Sequence, residues 1–458
     1  MGRRILRGFK WALFVLGALL VLSPLVMVFL ARQAEKRLDL ALKEISARGE
    51  PVKVTQLAPP PVPDKENAAL IYKKAFELIR QTEEDKELIS TIGSGKTKLD
   101  DPKVATQARD ILKRNERLLQ LLHQASSMPR CDFKRDWSKG MMINFPNFSK
   151  LRSSSRILAF ESAVLAQQGR LDDALEACGA NLRLAKAADE PILISQLVRY
   201  AIIAIASKTF GNILRDSQPS AQACRALADE IAKIDLVPCY VETLKGERAM
   251  GIWTFDLTRK TPDPMKTLTY LIEEAGKSQS SSAGAASHHR TPVFGRSFFR
   301  WYLASDESAY LQGMGKVIQM APRPYREQRA VLEEQEKSLE PTSLTQPQAL
   351  TAILLPILSR PPVARDRAIA NLGLDEIALL LKAYKAENGA YPDSLASLAD
   401  FSGRPLPTDP FSGKPFVYRR EKTGFLLYSW GQNLKDDGGK PPPPKHNDQG
   451  DMVIRCSR

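Results

Sequence analysis

From Trp11 to Ala31 the chain carries no charge, and Ser23-Pro24 is the only polar or helix-breaking interruption. At about 1.5 Å per residue a helix of that length covers about 30 Å, the thickness of a bilayer's hydrocarbon core. The pattern predicts a transmembrane helix over residues 11–31. Residues 1–10 hold Arg3, Arg4, Arg7 and Lys10 with no acid; Arg32, Lys36, Arg37, Lys43 and Arg48 nearly match that count beyond the run, but the short acid-free tail argues for a cytoplasmic N-terminus. A cleaved signal peptide would have a shorter apolar core and a small-x-small site, so an uncleaved single-pass anchor is expected. Residues 32–63 follow as a charged amphipathic helix (Gln33–Ala47) and a Pro-rich spacer (Glu50–Pro63) that holds the body off the membrane.

Over residues 64–359 the apolar spacing is helical. Asp64 is the expected N-cap of a helix over Asn67–Thr82, with Ala69, Ile71, Tyr72, Phe76 and Ile79 on one side. A Leu stripe follows from Lys103, with His123 beside it as an ordinary packed residue. The stretch from Met128 to Phe148 is irregular and aromatic, a loop expected to lie across the helices, with a binding lip as the functional alternative. Ser153–Ala187 reads as two helices joined at Gln168-Gly169-Arg170, with small residues where they meet. That hairpin looks like one of the tetratricopeptide type, without a second copy at the repeat period. The next apolar run, Ile192–Leu214, is broken by Ser195, Gln196, Arg199 and Tyr200, which predicts a buried core helix and not a second span. Helices are expected at Ala221–Ile234 and Pro238–Leu257. Residues 276–291 form a flexible Ser- and Ala-rich linker; its His288-His289 pair lacks a partner at ligand spacing. Phe294–Met320 resumes a helix whose Phe298, Phe299, Trp301 and Tyr302 are expected in the core.

Residues 362–458 change character. A helix runs from Ala364 to a stop at Asn388-Gly389, with Ile369, Leu372, Ile377, Leu380 and Leu381 at helical spacing. Two aromatic-rich runs, PLPTDPFSGKPFVYRR and GFLLYSWG, flank Glu421-Lys422-Thr423-Gly424 as a β-hairpin. An acidic loop and a last strand at Met452-Val453-Ile454 follow. The fold class expected is mainly α with a C-terminal α+β module: N-terminal transmembrane helix, helical body, then a long helix plus a small antiparallel sheet.

The order of these motifs resembles the globular domain of the major pseudopilins of type II secretion systems. The residues that carry the likeness are KAYKAENGAYPDSL, the turn Leu406-Pro407-x-Asp409-Pro410-Phe411, the strand Gly413-Lys414-Pro415-Phe416-x-Tyr418, and Tyr428-Ser429-x-Gly431. The resemblance spans residues 364–454. Prepilins carry a Glu early in the apolar helix where this chain has Leu13, and the helical body intervenes. The region therefore reads as a pseudopilin-like module and not as a pilus subunit. The resemblance implies a bacterial protein with an extracytoplasmic body, and a calcium ion in the loop after the Tyr-Ser strand. The corresponding acids are Asp436, Asp437, Asp448 and Asp451, separated by an insertion, Lys440–His446; carboxylates and loop carbonyls are the oxygen donors calcium takes. A plain acidic surface loop is the alternative.

Charge excludes one class of partner. The net +14 is spread among 52 acidic residues with no basic block, so nucleic acid is not expected. Cys131, Cys178, Cys224, Cys239 and Cys456 are odd in number and irregular in spacing, which indicates neither a disulfide framework nor a zinc site. Residues 93–97 spell Gly-Ser-Gly-Lys-Thr, but Ser90 stands where a phosphate loop needs Gly and the flanks are helical and loop-like. Glu242 and Glu247 are spaced for acid–base work only if a cleft buries both. No catalytic motif is present. The expected function is a structural or protein-interaction role at a bacterial inner membrane, single-pass, body periplasmic, with envelope or secretion-system proteins as partners. A periplasmic enzyme with its site in the helical body, or a tetratricopeptide-like peptide-binding adapter, are the alternatives.

Overall fold

The structure, a computed structural model, describes residues 2–261, 295–338, 348–355, 361–443 and 449–457. The linker at 276–291 with His288-His289, and Asp448 of the acidic loop, lie outside the described residues. The chain is mainly helical and carries one three-stranded antiparallel sheet near its C-terminus.

Helix α1 (Gly2–Ala47) unites the apolar run and the amphipathic stretch without a break, and Pro24 lies inside it. Ala34, Leu38 and Ile45, at helical spacing, are buried against the body. The spacer does not stand free. Its Val54 and Leu57 are buried in a 3₁₀ turn, and Glu50 pairs at 2.7 Å with the buried Arg248. Two apolar residues among the prolines suffice to lay it on the body.

The larger core gathers α2 (Ala68–Glu77), α3 (Glu83–Gly93), α4 (Pro102–Arg114), α5 (Glu116–Ser126), α6 (Pro146–Gln167), α7 (Leu171–Leu184), α8 (Leu193–Asp216) and α9 (Ala221–Ile231). Asn67, not Asp64, caps α2: its side chain accepts from Ala69 N–H at 3.1 Å and clasps the backbone of Asp132 with both amide ends. Asp64 belongs to a separate 3₁₀ turn. Gly-Ser-Gly-Lys-Thr is the C-terminal stop of α3, with Gly95 at φ +70 and Lys96 N–H donating to Thr91; no strand precedes it. The α6–α7 hairpin turns at Gly169 (φ +77), and buried Ala174, Ala177 and Ala180 let the helices close until Ser162 Oγ donates to the Ala174 carbonyl at 2.6 Å.

Helix α8 is a core helix, as its interrupting polar residues suggest. Arg199 pairs with Asp189 at 2.7 Å, while Ile202, Phe210 and Leu214 are fully enclosed. Its C-terminal carbonyls are satisfied by distant parts of the chain. Leu214 accepts from Cys456 Sγ, Arg215 from Ser457 N–H, and Ser217, just beyond the helix, from Lys382 Nζ at 2.8 Å. A lysine at that end also suits the helix dipole.

A second core joins α1 to α10 (Val237–Lys260), α11 (Gly295–Met320) and α13 (Ala349–Leu354); α12 (Tyr325–Ser338) lies between the last two in sequence. Buried Asp306 starts α13 by accepting from Leu350 and Thr351 N–H and from Thr351 Oγ1. The aromatic cluster of α11 departs from its expected core position. Phe298 is 48% exposed, and Trp301 and Tyr302 are only half-buried.

Helix α14 (Pro361–Asn388) ends at the expected Asn388, with Gly389 at φ +78. It is buried on nearly every side by α8, α9 and the sheet, down to Arg365, Asp366, Asp375, Glu376 and Lys382. Residues 361–457 thus share one core with the helical body and have no core of their own. After α15 (Leu395–Ser402), strands β1 (Val417–Arg420), β2 (Phe425–Ser429) and β3 (Met452–Cys456) form a meander in the order β1-β2-β3. Val417 pairs with Tyr428, and Leu427 with Ile454. β2 lies within the run GFLLYSWG, β1 takes only the last four residues of the preceding aromatic-rich run, and β3 extends the expected Met452-Val453-Ile454 to Cys456.

Candidate functional site

The loop between β2 and β3 is organised by carboxylates that receive backbone N–H groups. Asp409, in the turn before β1, is 1% exposed. It accepts from Phe411 and Ser412 N–H within its own turn, from Ser429 Oγ at 2.7 Å, and from Trp430 N–H at 3.2 Å. One side chain therefore holds the Pro-Phe turn to the exit of β2. Asp451, fully buried, does the same at the entry to β3. Its two oxygens accept from Asp437 and Gly439 N–H at 3.3 and 2.7 Å. Burial pushes its carboxyl above the usual range, with the two backbone donors opposing that shift. Gly439 sits at φ +81, and a Cβ there would meet Leu426 at 2.8 Å, so only glycine brings the loop this close to β2.

Asp436 accepts from Tyr428 Oη at 3.0 Å and from Gly438 N–H, and Asp437 accepts from Asn433 Nδ2 at 2.7 Å. Each uses one oxygen in these bonds and keeps one. The structure brings Asp436, Asp437 and Asp451 into one loop. Among the described residues, however, no three His, Cys, Asp or Glu side chains gather as a metal-holding group. Calcium takes six to eight oxygens. Asp451 is committed to the backbone, so two free carboxylate oxygens and loop carbonyls fit that ion only in part, and Asp448 lies outside the described residues.

A second feature combines the irregular 128–148 segment with the start of α8. Arg135 Nε donates to both carboxylate oxygens of Glu190, at 2.5 and 2.6 Å, and the guanidinium lies over Phe145, 4.5 Å from its centroid, and Phe148 at 5.1 Å. Burial raises the Glu190 carboxyl, and Arg135 opposes that rise. The clamp fixes the segment next to an open groove of about 470 Å³ lined by Phe145, Phe148, Arg152, Ile194 and Leu197. Ile194 is 51% exposed and Met142, on the same segment, 68%. The aromatic composition pointed to this lip. The Arg135–Glu190 pair, fifty-five positions apart, had no local signal.

The groups weighed for catalysis do not converge. His123 Nε2 meets Glu161 Oε2 at 2.8 Å, a partner that raises the imidazole's affinity for its proton. Glu242 is paired with Lys245 in solvent, whereas Glu247 is half-buried and its carboxylate accepts from Leu193 N–H at 2.5 Å. Burial raises the Glu247 carboxyl. Cys178 and Cys224 are buried, as expected, and burial pushes both thiols up to about 12.

The chain matches no family model, no curated protein and no solved structure. The likeness to pseudopilins therefore rests on the motif residues of 364–454 themselves.

Proposed function

We propose that this chain is a membrane-anchored structural or protein-interaction protein of a bacterial envelope. Its first helix spans the inner membrane, and its helical body and pseudopilin-like end stand in the periplasm to meet envelope or secretion-system proteins. The observation that carries the reading is the division of α1. Ala34, Leu38 and Ile45 are packed, whereas Leu22, Leu25, Val26 and Phe29 on the preceding turns are 52–62% exposed. A contiguous apolar surface of that kind requires a partner that is not water. An uncharged run of bilayer length supplies the reason for a lipid partner.

Proteolysis of spheroplasts tests the orientation. Protease added outside is expected to degrade the body while a cytoplasmic control survives. A body protected until the membrane is lysed would overturn it. Calcium belongs to the same reading: Asp436 and Asp437 each keep one carboxylate oxygen for it, while Asp451 stays engaged by the backbone.

A further inference from the structure

The exposed aromatic cluster of α11 lies where α1 leaves its apolar run. Arg300 forms a bidentate pair with Glu35 of α1, at 2.8 and 2.7 Å. Further on, Tyr310 donates to the Glu247 carbonyl, and the adjacent Arg248 pairs with Glu50. Glu35 precedes Glu50 and Arg300 precedes Tyr310, so the two helices run parallel. The first turn of α11 therefore flanks α1 just before Glu35. Glu35 is about 6 Å along the helix axis from Ala31, the last residue of the uncharged run. Phe298 sits about 3 Å nearer to that boundary than Arg300. The polar layer on each side of the hydrocarbon core is about 5–7 Å deep, so the first turn of α11 falls within it.

The side chains at that level suit such a layer. Phe298 is half exposed and packs at a tilt against Trp301 and Tyr302, with ring centroids 5.6 and 6.0 Å away. Trp301 also packs on the second core, which fixes its height. Around them Arg32, Lys36, Arg37 and Arg296 are exposed. Tryptophan and tyrosine are favoured where one part of the ring is apolar and the other wet, and arginine and lysine match lipid phosphates. In water the same cluster would leave an apolar ring surface uncovered.

We propose that the first turn of α11 and the exit of α1 form an aromatic and basic collar that seats the body on the headgroup layer of an anionic bilayer. The body then stands on the membrane at a fixed height, because α1 is one unbroken helix and the Arg300–Glu35 pair ties α11 to it. The proposal rests on the reading of α1 as a bilayer-spanning helix.

Reconstitution of the full chain into vesicles of phosphatidylcholine and phosphatidylglycerol tests both, with separate readouts. Flotation with the vesicles, resistant to high salt, reports the anchor. Quenching of tryptophan fluorescence by lipids brominated near the headgroup or near the bilayer centre reports the collar. The Trp301→Phe variant isolates Trp301, since the other tryptophans are common to both proteins. The difference signal is expected to be quenched about twofold more by shallow than by deep bromines. The conservative change keeps the ring packed, and near-UV circular dichroism checks that the fold is retained. A chain that floats but whose Trp301 signal is quenched at neither depth would overturn the collar and leave the anchor standing. A chain that does not float would overturn the anchor, and the collar with it.

Discussion

Two long apolar helices, α1 and α8, solve opposite problems. α8 has a mean hydropathy of 1.3 over its most apolar window, enough to cross a membrane on length and composition alone. Yet it lies among α6, α7, α14 and β3, with Phe210 and Leu214 fully enclosed and its terminal carbonyls capped by Cys456, Ser457 and Lys382. In α1 Leu22, Leu25, Val26 and Phe29 face outwards, whereas Ala34, Leu38 and Ile45 are packed. What separates the two helices is whether polar groups interrupt the run and whether the rest of the chain supplies partners.

The largest effect should come from the packed helix. Phe210→Ala opens a cavity in a site with no exposure, and is expected to cost about 3–5 kcal/mol in denaturant unfolding. A loss below about 1 kcal/mol would mean that α8 is not the centre of the core. Phe29→Ala, the matching change on α1, should alter body stability by less than about 0.5 kcal/mol. Next is the carboxyl that α14 hides against α8. Burial pushes Asp375 up to about 8, and its Oδ2 has no hydrogen-bond partner. In the unfolded chain it ionises near its ordinary value of about 4. Its contribution to folding is therefore complete below about pH 4 and is lost as pH rises towards about 8, by an amount on the order of 5 kcal/mol. Unfolding midpoints at pH 5 and pH 8 should show this loss, and Asp375→Asn should abolish it. A pH slope unchanged in the variant would count against a buried neutral carboxyl.

Gly246→Ala sharpens the comparison at a smaller scale. A Cβ there would lie 1.8 Å from the Pro191 carbonyl, where α10 crosses the entry to α8, so about 1–3 kcal/mol of stability should be lost. The smallest effect concerns the β2–β3 loop. Titration calorimetry of the full chain with calcium should give a heat that Asp436→Asn/Asp437→Asn removes. An identical heat from the double variant would exclude these acids as ligands.

Most of the fold was legible because its signals are local. Aromatic-rich runs flanking Glu421–Gly424 marked the β1–β2 hairpin, Asn388-Gly389 ended α14, and Gln168-Gly169-Arg170 turned the α6–α7 hairpin. Non-local choices were not. Asn67 outcompetes Asp64 as a cap because Asp132, far along the chain, engages its amide. Val54 and Leu57 pin the Pro-rich segment because Arg248 waits for Glu50. Phe298 and Trp301 read as core from composition alone, since no local pattern tells an interior surface from one facing lipid. In the acidic loop Asp436, Asp437 and Asp451 do come together, but Asp451 is engaged by backbone donors that no spacing rule shows.

Alkaline extraction of membranes from cells producing the full chain tests the central claim most directly, with Leu25→Asp/Phe29→Asp as comparison. Two acids within the span should each cost roughly 3 kcal/mol of insertion. The account expects the unaltered chain to stay with the membrane pellet and the double variant to move to the supernatant still folded. An unaltered chain released at high pH, or a double variant that remains fully embedded, would contradict it.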